Sequence, residues 1–142
     1  MNNINRLKEL TDTLNKVEDN LKNEKIILEF ILENTTDGYW DWDMITDYKY
    51  LSPKLKAQLG YTNKSMDNSP ESWRKHCNPE DLKKITAKMS KHIAGNIEDF
   101  SHKLRFTHRK GHEILILCRG KIINYDDSGS PIRMIGTHVI ID

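Results

Sequence analysis

The longest regular pattern in the sequence is a heptad of apolar residues near the N-terminus. It runs from Ile4 to residue 31, and Glu24 is the one interruption of its seam. No glycine or proline occurs before Gly38, so nothing in this segment breaks a helix. The pattern predicts a long helix in a homodimeric coiled coil, with an interface of Leu7, Leu10, Leu14, Val17, Leu21, Leu28 and Ile31. An amphipathic helix folded back on its own domain, or a frayed tail, is the alternative.

Shortly after the heptad, residues 37–43 combine three aromatic side chains with three carboxylates. Asn34–Gly38 is predicted to break the helix, because Gly38 gives the chain freedom to turn. Alternation along the following strand places Trp40 and Trp42 on one side and the tyrosine and aspartates on the other. A turn and a second strand, Tyr48–Leu51, complete a predicted hairpin.

Three helix starts follow, and each has a capping side chain directly before a proline. They are Ser52-Pro53, Ser69-Pro70 and Asn78-Pro79. The third helix is predicted to run to Gly95, with an apolar stripe on one face and four lysines away from it. The stripe is Leu82, Ile85, Met89 and Ile93, and the lysines are Lys83, Lys84, Lys88 and Lys91.

From Ile97 the hydrophobic period changes to two, which is typical of strands. Three strands are predicted, beginning near Ile97, at Glu113 and at Ile132, with turns at Arg109–His112 and Asp126–Pro131. The element order is then β-β-α-α-α-β-β-β behind a helix. This order predicts an α+β domain, residues 34–142, with one antiparallel sheet and helices on one face, preceded by the coiled-coil helix of residues 1–33.

Composition excludes several classes of function. The formal net charge of +1 predicts no electrostatic attraction to nucleic acid or to an anionic membrane. No apolar run is long enough to span a bilayer, and the polar N-terminus is no signal peptide. Cys77 and Cys118 form neither a disulfide framework nor a metal motif, which favours free thiols in the cytoplasm.

Taken together, the motifs resemble those of PAS domains from bacterial sensor kinases, cyclases and chemoreceptors, over residues 26–142. The resemblance is carried by Gly38–Asp43 (Gly-Tyr-Trp-Asp-Trp-Asp), Tyr50–Pro53 (Tyr-Leu-Ser-Pro), Leu59–Tyr61 (Leu-Gly-Tyr), Trp73, Asn78–Leu82 (Asn-Pro-Glu-Asp-Leu), Phe106–His112, Gly129–Pro131 and Gly136–Asp142. Asn78 stands where the family usually has His.

The resemblance implies a five-stranded antiparallel sheet cupping a small cavity under the helices. It implies a non-enzymatic sensor that responds to a small molecule or partner and relays a change through Glu33–Gly38 to a dimeric coiled coil. The output domain is expected to lie outside this chain. A ligand-free dimerisation module, and a flavin or haem redox sensor, are the alternatives, and an enzyme is the least favoured.

A pocket between sheet and helices has candidate lining residues in most elements. They are Trp40, Trp42, Leu55, Leu59, Trp73, Ile85, Met89, Leu104, Phe106, Leu117 and Met134. Each of these residue types also suits a packed core, which is the more conservative interpretation.

Cofactor and metal sites have weaker support in the sequence. His92 is the one His on the long helix, where a haem-binding PAS domain holds its iron, but it falls on the shoulder of the apolar stripe. Cys77 lacks the motif of photoactive flavin domains, which leaves non-covalent FAD. A zinc or pH-sensing cluster of His102, His108, His112 and His138 is less favoured than solvated sheet histidines. The expectation is no cofactor, no metal and no catalytic residues, with Asp37, Asp41 and Asp43 forming an acidic strand edge.

Overall fold

The computed structural model describes residues 2–33, 37–95 and 99–141. The chain divides into two compact units, residues 1–35 and residues 36–142. Three residues of the predicted helix break Asn34–Gly38, namely 34–36, lie outside the described residues. The predicted strand start at Ile97 and the last residue, Asp142, lie outside them as well.

The first unit is a single helix, α1 (Asn3–Glu33), as the heptad predicts. The Asn2 side-chain oxygen accepts a hydrogen bond from Asn5 N at 2.9 Å and so caps the first turn. All seven predicted interface residues are 49–62% exposed. The helix is confirmed, and the dimer stays a prediction. None of the described helices combines the length and apolar character that crossing a membrane requires.

The second unit is built on one antiparallel sheet of five strands. The strands are β1 (Gly38–Asp43), β2 (Tyr48–Leu51), β3 (Asp99–Thr107), β4 (Glu113–Tyr125) and β5 (Pro131–Ile140). Their spatial order is β2-β1-β5-β4-β3, so the first and last strands of the unit are neighbours. The predicted element order and sheet type are confirmed.

Three helices separate β2 from β3, and each begins as its capping residue predicts. They are α2 (Pro53–Gln58), α3 (Pro70–Arg74) and α4 (Pro79–Ile93). The side-chain oxygens of Ser52, Ser69 and Asn78 accept hydrogen bonds from backbone N–H groups of the first turn. Helix α4 ends two residues before Gly95, whose positive φ of 83° turns the chain away.

The core lies between the helices and one face of the sheet. Trp40 of β1 is 1% exposed in this core, and the helices contribute Leu55, Leu59, Trp73 and Ile85. A Cβ atom at Gly136 on β5 would lie 2.2 Å from Trp40 Cζ2, so the indole packs directly on the backbone of the neighbouring strand. The hairpin β1–β2 therefore supplies the aromatic centre of the domain and holds it against β5.

Candidate functional site

A cleft of about 180 Å³ opens between the hairpin β1–β2 and helices α3 and α4. Its lining combines aliphatic, aromatic and hydroxyl side chains with two cations. The lining residues are Trp42, Lys49, Pro70, Trp73, Arg74, Leu82, Ile85, Thr86, Met89, Ser90 and Ile93. Small-molecule sites in proteins have this character, an apolar concavity with a few polar groups.

The unusual member of the lining is Lys49, which is 4% exposed. Register explains its position, because Lys49 on β2 lies opposite Trp42 on β1 and so faces the same side of the sheet. Its Nζ lies 4.2 Å from the centroid of the Trp73 ring, 4.4 Å from that of Trp40 and 5.8 Å from that of Trp42. Three indole rings thus surround one ammonium group.

The surroundings of Lys49 weaken its hold on a proton. Burial lowers the pKa of Lys49 from the ordinary 10.5 to about 8, and the charge of Arg74 acts in the same direction against the opposing influence of Cys118 and Asp47. The amine is therefore still charged at neutral pH. Among the described residues, no carboxylate lies within 4.0 Å of Nζ and no acceptor oxygen within hydrogen-bonding distance. The charge is held by indole faces alone.

His138 on β5 holds the Trp73 indole in place through a hydrogen bond. Its Nε2 accepts a hydrogen bond from Trp73 Nε1 at 3.1 Å, and its ring is completely buried. Burial, together with the nearby Lys49 charge, lowers the pKa of His138 to about 3. A neutral imidazole is required here, because only the neutral ring offers an acceptor nitrogen to the indole.

Comparisons with known proteins agree with this architecture. The sequence profile of the PAS fold family matches residues 48–138, more than half of the chain. The chain belongs to the PAS family. No curated protein matches this PAS domain significantly.

Solved structures of PAS domains are similar to this one over most of its length. A sensory box histidine kinase/response regulator from Burkholderia thailandensis has a TM-score of 0.67 at 24% identity, covering 80% of this chain and 83% of its own. The N-terminal domain of a diguanylate cyclase with PAS/PAC sensor from Marinobacter aquaeolei has a TM-score of 0.63 at 27% identity, covering 74% and 94%. A PAS domain from Colwellia psychrerythraea has a TM-score of 0.62 at 16% identity, covering 81% and 97%. The fold is that of a sensory domain.

The predicted pocket residues of this PAS domain separate into three groups. Trp42, Trp73, Ile85 and Met89 line the cleft. Trp40, Leu55, Leu59, Leu104, Phe106 and Met134 are at most 1% exposed and form the packed core beside it. Leu117 is half-buried between the buried Ile116 and Cys118 on β4, so alternation directs it to the sheet face away from the helices. Ile116, not Leu117, is the residue of this pair that faces the core.

Lys49 was not among the predicted site residues. Lysine usually lies on the surface, and the pattern of Tyr48–Leu51 predicts only a short strand. The signal was present, however, because Lys49 alternates with Leu51, a fully buried core residue, and so shares its face. A lysine in phase with the core is the pattern that identifies this site.

His92, which the sequence offered only as an unfavoured haem ligand, is 1% exposed near the end of α4. Its Nε2 accepts a hydrogen bond from Ile122 N at 3.1 Å, and its ring packs edge-on against Phe100. The nitrogen therefore serves to join α4 to the backbone of β4. Its position on the shoulder of the apolar stripe suits that contact.

The remaining histidines do not gather at one site, although His102 on β3 and His138 on β5 are both register partners of Cys118 on β4. His108 and His112 stack at 4.3 Å in the β3–β4 turn, whereas His138 is buried beneath Trp73. Within residues 2–33, 37–95 and 99–141, no three His, Cys, Asp or Glu side chains are placed to hold a metal ion. Burial raises the pKa of Cys77 to about 12 and that of Cys118 to about 11, so both thiols stay protonated at neutral pH.

The acidic residues of β1 have structural partners on the outer face of the sheet. Asp41 accepts two hydrogen bonds from Arg133 of β5, at 2.9 and 2.5 Å. Asp43 accepts hydrogen bonds from the backbone N–H groups of Ile45 and Thr46, and these bonds lower the pKa of its carboxyl. Both carboxylates therefore fix the hairpin and its neighbour strand.

Proposed function

We propose that this chain is a non-enzymatic PAS sensory module whose cleft binds a small molecule. The observation that carries the proposal is the Lys49 ammonium, buried beside the cleft with no counter-ion among the described residues. Proteins seldom bury a charge without a partner, because removing an ion from water is costly. A bound ligand of opposite charge would offset the cost of burying the Lys49 ammonium.

The buried cysteines and His138, which lie outside the cleft lining, also support a module without catalysis. The buried thiols of Cys77 and Cys118 are protonated, and His138 holds its proton-accepting nitrogen against Trp73. A nucleophile needs a base within hydrogen-bond reach, and none of these groups has that arrangement. Two unpaired thiols also fit a reducing cytoplasm, where we place the protein.

The proposed relay runs from the cleft into a dimeric coiled coil formed by α1, and onward to an output domain. Lys49 lies opposite Trp42 on β1, the strand that directly follows the junction with α1 in sequence. The exposed seam of α1 is the surface on which a second copy would pack. Such a relay requires that ligand-bound and ligand-free states have different arrangements of this strand.

Sedimentation velocity on a seam variant tests the dimer. Two lysines in the seam, Leu14→Lys with Leu21→Lys, would place four charges of the dimer against each other and should yield monomers. The matched control, Asn15→Lys with Asn23→Lys, adds the same charge outside the seam and should stay dimeric. A seam variant that sediments as the wild type does would contradict the coiled coil.

A ligand-free dimerisation module is the second candidate. Six of the predicted pocket residues are packed in the core at 1% exposure or less, and four line the cleft of about 180 Å³ beside α4. Native mass spectrometry of the purified chain, repeated after denaturation, separates the two. A dimer with extra mass that is lost on denaturation supports sensing. A bare dimer that gains no mass with any added small molecule supports the second candidate.

A further inference from the structure

The charges that face the cleft are all of one sign. Its described lining contains two cations, Lys49 and Arg74, and no aspartate or glutamate. Arg74 is paired with Glu71 one turn earlier at 2.9 Å, on the exposed side of α3. Lys49 has no such partner among the described residues. Within the described residues, the cleft therefore carries a positive charge that has no ion pair, although the Asp47 carboxylate acts on it from a distance.

The indole and hydroxyl donors of the lining are already engaged. Trp42 Nε1 donates to Asp47 Oδ1 at 2.9 Å, and Trp73 Nε1 donates to His138 Nε2 at 3.1 Å. The hydroxyl groups of Thr86 and Ser90 donate to carbonyl oxygens of α4, at 2.7 and 3.0 Å. The donors left for a ligand in this cleft are thus the buried Lys49 ammonium and the exposed part of the Arg74 guanidinium, whose Nη1 pairs with Glu71.

The walls restrict what kind of anion fits. The aromatic faces of Trp42 and Trp73 and the aliphatic side chains of Ile85 and Met89 provide apolar surface. An inorganic anion leaves that surface uncovered, and a nucleotide greatly exceeds a cleft of about 180 Å³. The combination matches a small organic anion with a planar or branched apolar body.

We propose that the cleft is a site for a small organic carboxylate, which pairs its carboxylate with the Lys49 ammonium and packs its apolar body between Trp73 and α4. The inference rests on the proposed function, since it names the ligand class of the same cleft. The anion would supply the counter-charge that the protein lacks. The bound anion would also neutralise the Lys49 charge near the Trp42 ring, and would in this way act on strand β1.

The test is a titration of the complete chain with benzoate and phenylacetate, followed by nitrogen–proton NMR of the assigned indole groups. Benzyl alcohol and benzamide are the neutral controls, and inorganic phosphate is the control for an anion without an apolar body. Both carboxylates are expected to shift the Trp42 and Trp73 indole signals saturably. Their affinity should exceed that of the neutral compounds and of phosphate at least tenfold.

Variants assign the effect to the proposed contact. Lys49→Met keeps an unbranched side chain, one atom shorter, and removes the charge, so it should weaken carboxylate binding at least tenfold and leave benzyl alcohol binding unchanged. Lys83→Met removes an exposed charge of α4 and should bind benzoate as the wild type does. A dispersed spectrum of each variant establishes that it is folded.

The outcomes distinguish this inference from the proposed function. Neutral compounds that bind as tightly as the acids, with no effect of Lys49→Met, would overturn the carboxylate assignment while leaving a ligand-binding cleft. Phosphate binding equal to that of benzoate would overturn the role of the apolar walls. If no compound shifts the indole signals, both the carboxylate site and small-molecule sensing in this cleft are contradicted.

Discussion

Replacing Lys49 with methionine should make the domain more stable at neutral pH. Burial lowers the pKa of Lys49 from 10.5 to about 8, and each unit corresponds to about 1.4 kcal/mol, so the charged amine costs about 3 kcal/mol. The indole rings offset part of this through cation–π attraction, which contributes about 0.5–2 kcal/mol. Lys49→Met should therefore raise the free energy of unfolding by about 1–3 kcal/mol at pH 7.

The pH dependence of this difference identifies its cause. Below pH 8 the amine is charged in both the folded and the unfolded state, so the full cost is present. Between pH 8 and 10.5 the folded protein has lost the proton that the unfolded chain still binds, so wild-type stability rises with pH. The advantage of Lys49→Met should shrink over this window and vanish above it.

Urea unfolding followed by tryptophan fluorescence, at half-unit steps from pH 7 to pH 10, measures the difference. Protein concentration must be fixed, because dimerisation couples to unfolding. Lys83→Met is the control, since its exposed side chain should leave stability within about 0.5 kcal/mol of wild type. The reasoning is refuted if Lys49→Met is less stable at pH 7, or if its difference from wild type is constant across the pH range.

Three further predictions concern the scaffold. Gly136→Ala should lower the free energy of unfolding by about 1–3 kcal/mol in urea titrations, because the new methyl group overlaps the indole above it; wild-type stability would show that the indole has room to move. Arg105 donates three hydrogen bonds to Asp81 and lowers the pKa of that carboxyl. Asp81→Asn should lose about 1.5–3 kcal/mol at pH 7, and the deficit should diminish in acid, as the wild type takes up the proton; an unchanged deficit at pH 3 argues against the ion pair. The two cysteine thiols should react with a disulfide reagent only when urea unfolds the domain; rapid reaction of the native protein would contradict their burial.

The order of elements was predictable because local signals agree with the fold. Each helix of the PAS unit begins at a capping side chain followed by proline, which specifies the start without reference to the rest of the chain. The heptad likewise specifies α1 over its whole length. The C-terminal ends of the helices were predicted less well. Helix α4 was predicted to run to Gly95, but it ends at Ile93, since the chain turns away at Gly95.

The site was less predictable, because it depends on which face of the sheet a side chain occupies. Residues 114–118 are apolar on both faces of β4, so their pattern does not distinguish Leu117 from the buried Ile116. Lys49 contradicts its residue type, since lysine rarely occupies a core position. Its location follows only from pairing with Trp42, a contact between strands that the sequence does not specify by itself. Sites commonly break local rules in this way.

The central claim is that Lys49 carries a buried charge without a counter-ion, and direct titration of its amine tests this most closely. The chain is labelled with carbon-13 at the ε position of lysine, and the resonance that is absent from Lys49→Met is assigned to Lys49. Its chemical shift is then followed from pH 6 to pH 11. The structure predicts a midpoint near pH 8 in the ligand-free protein, well below the ordinary 10.5. A midpoint near the ordinary 10.5 would show that the amine reaches water or has a carboxylate partner, and would contradict the proposed site.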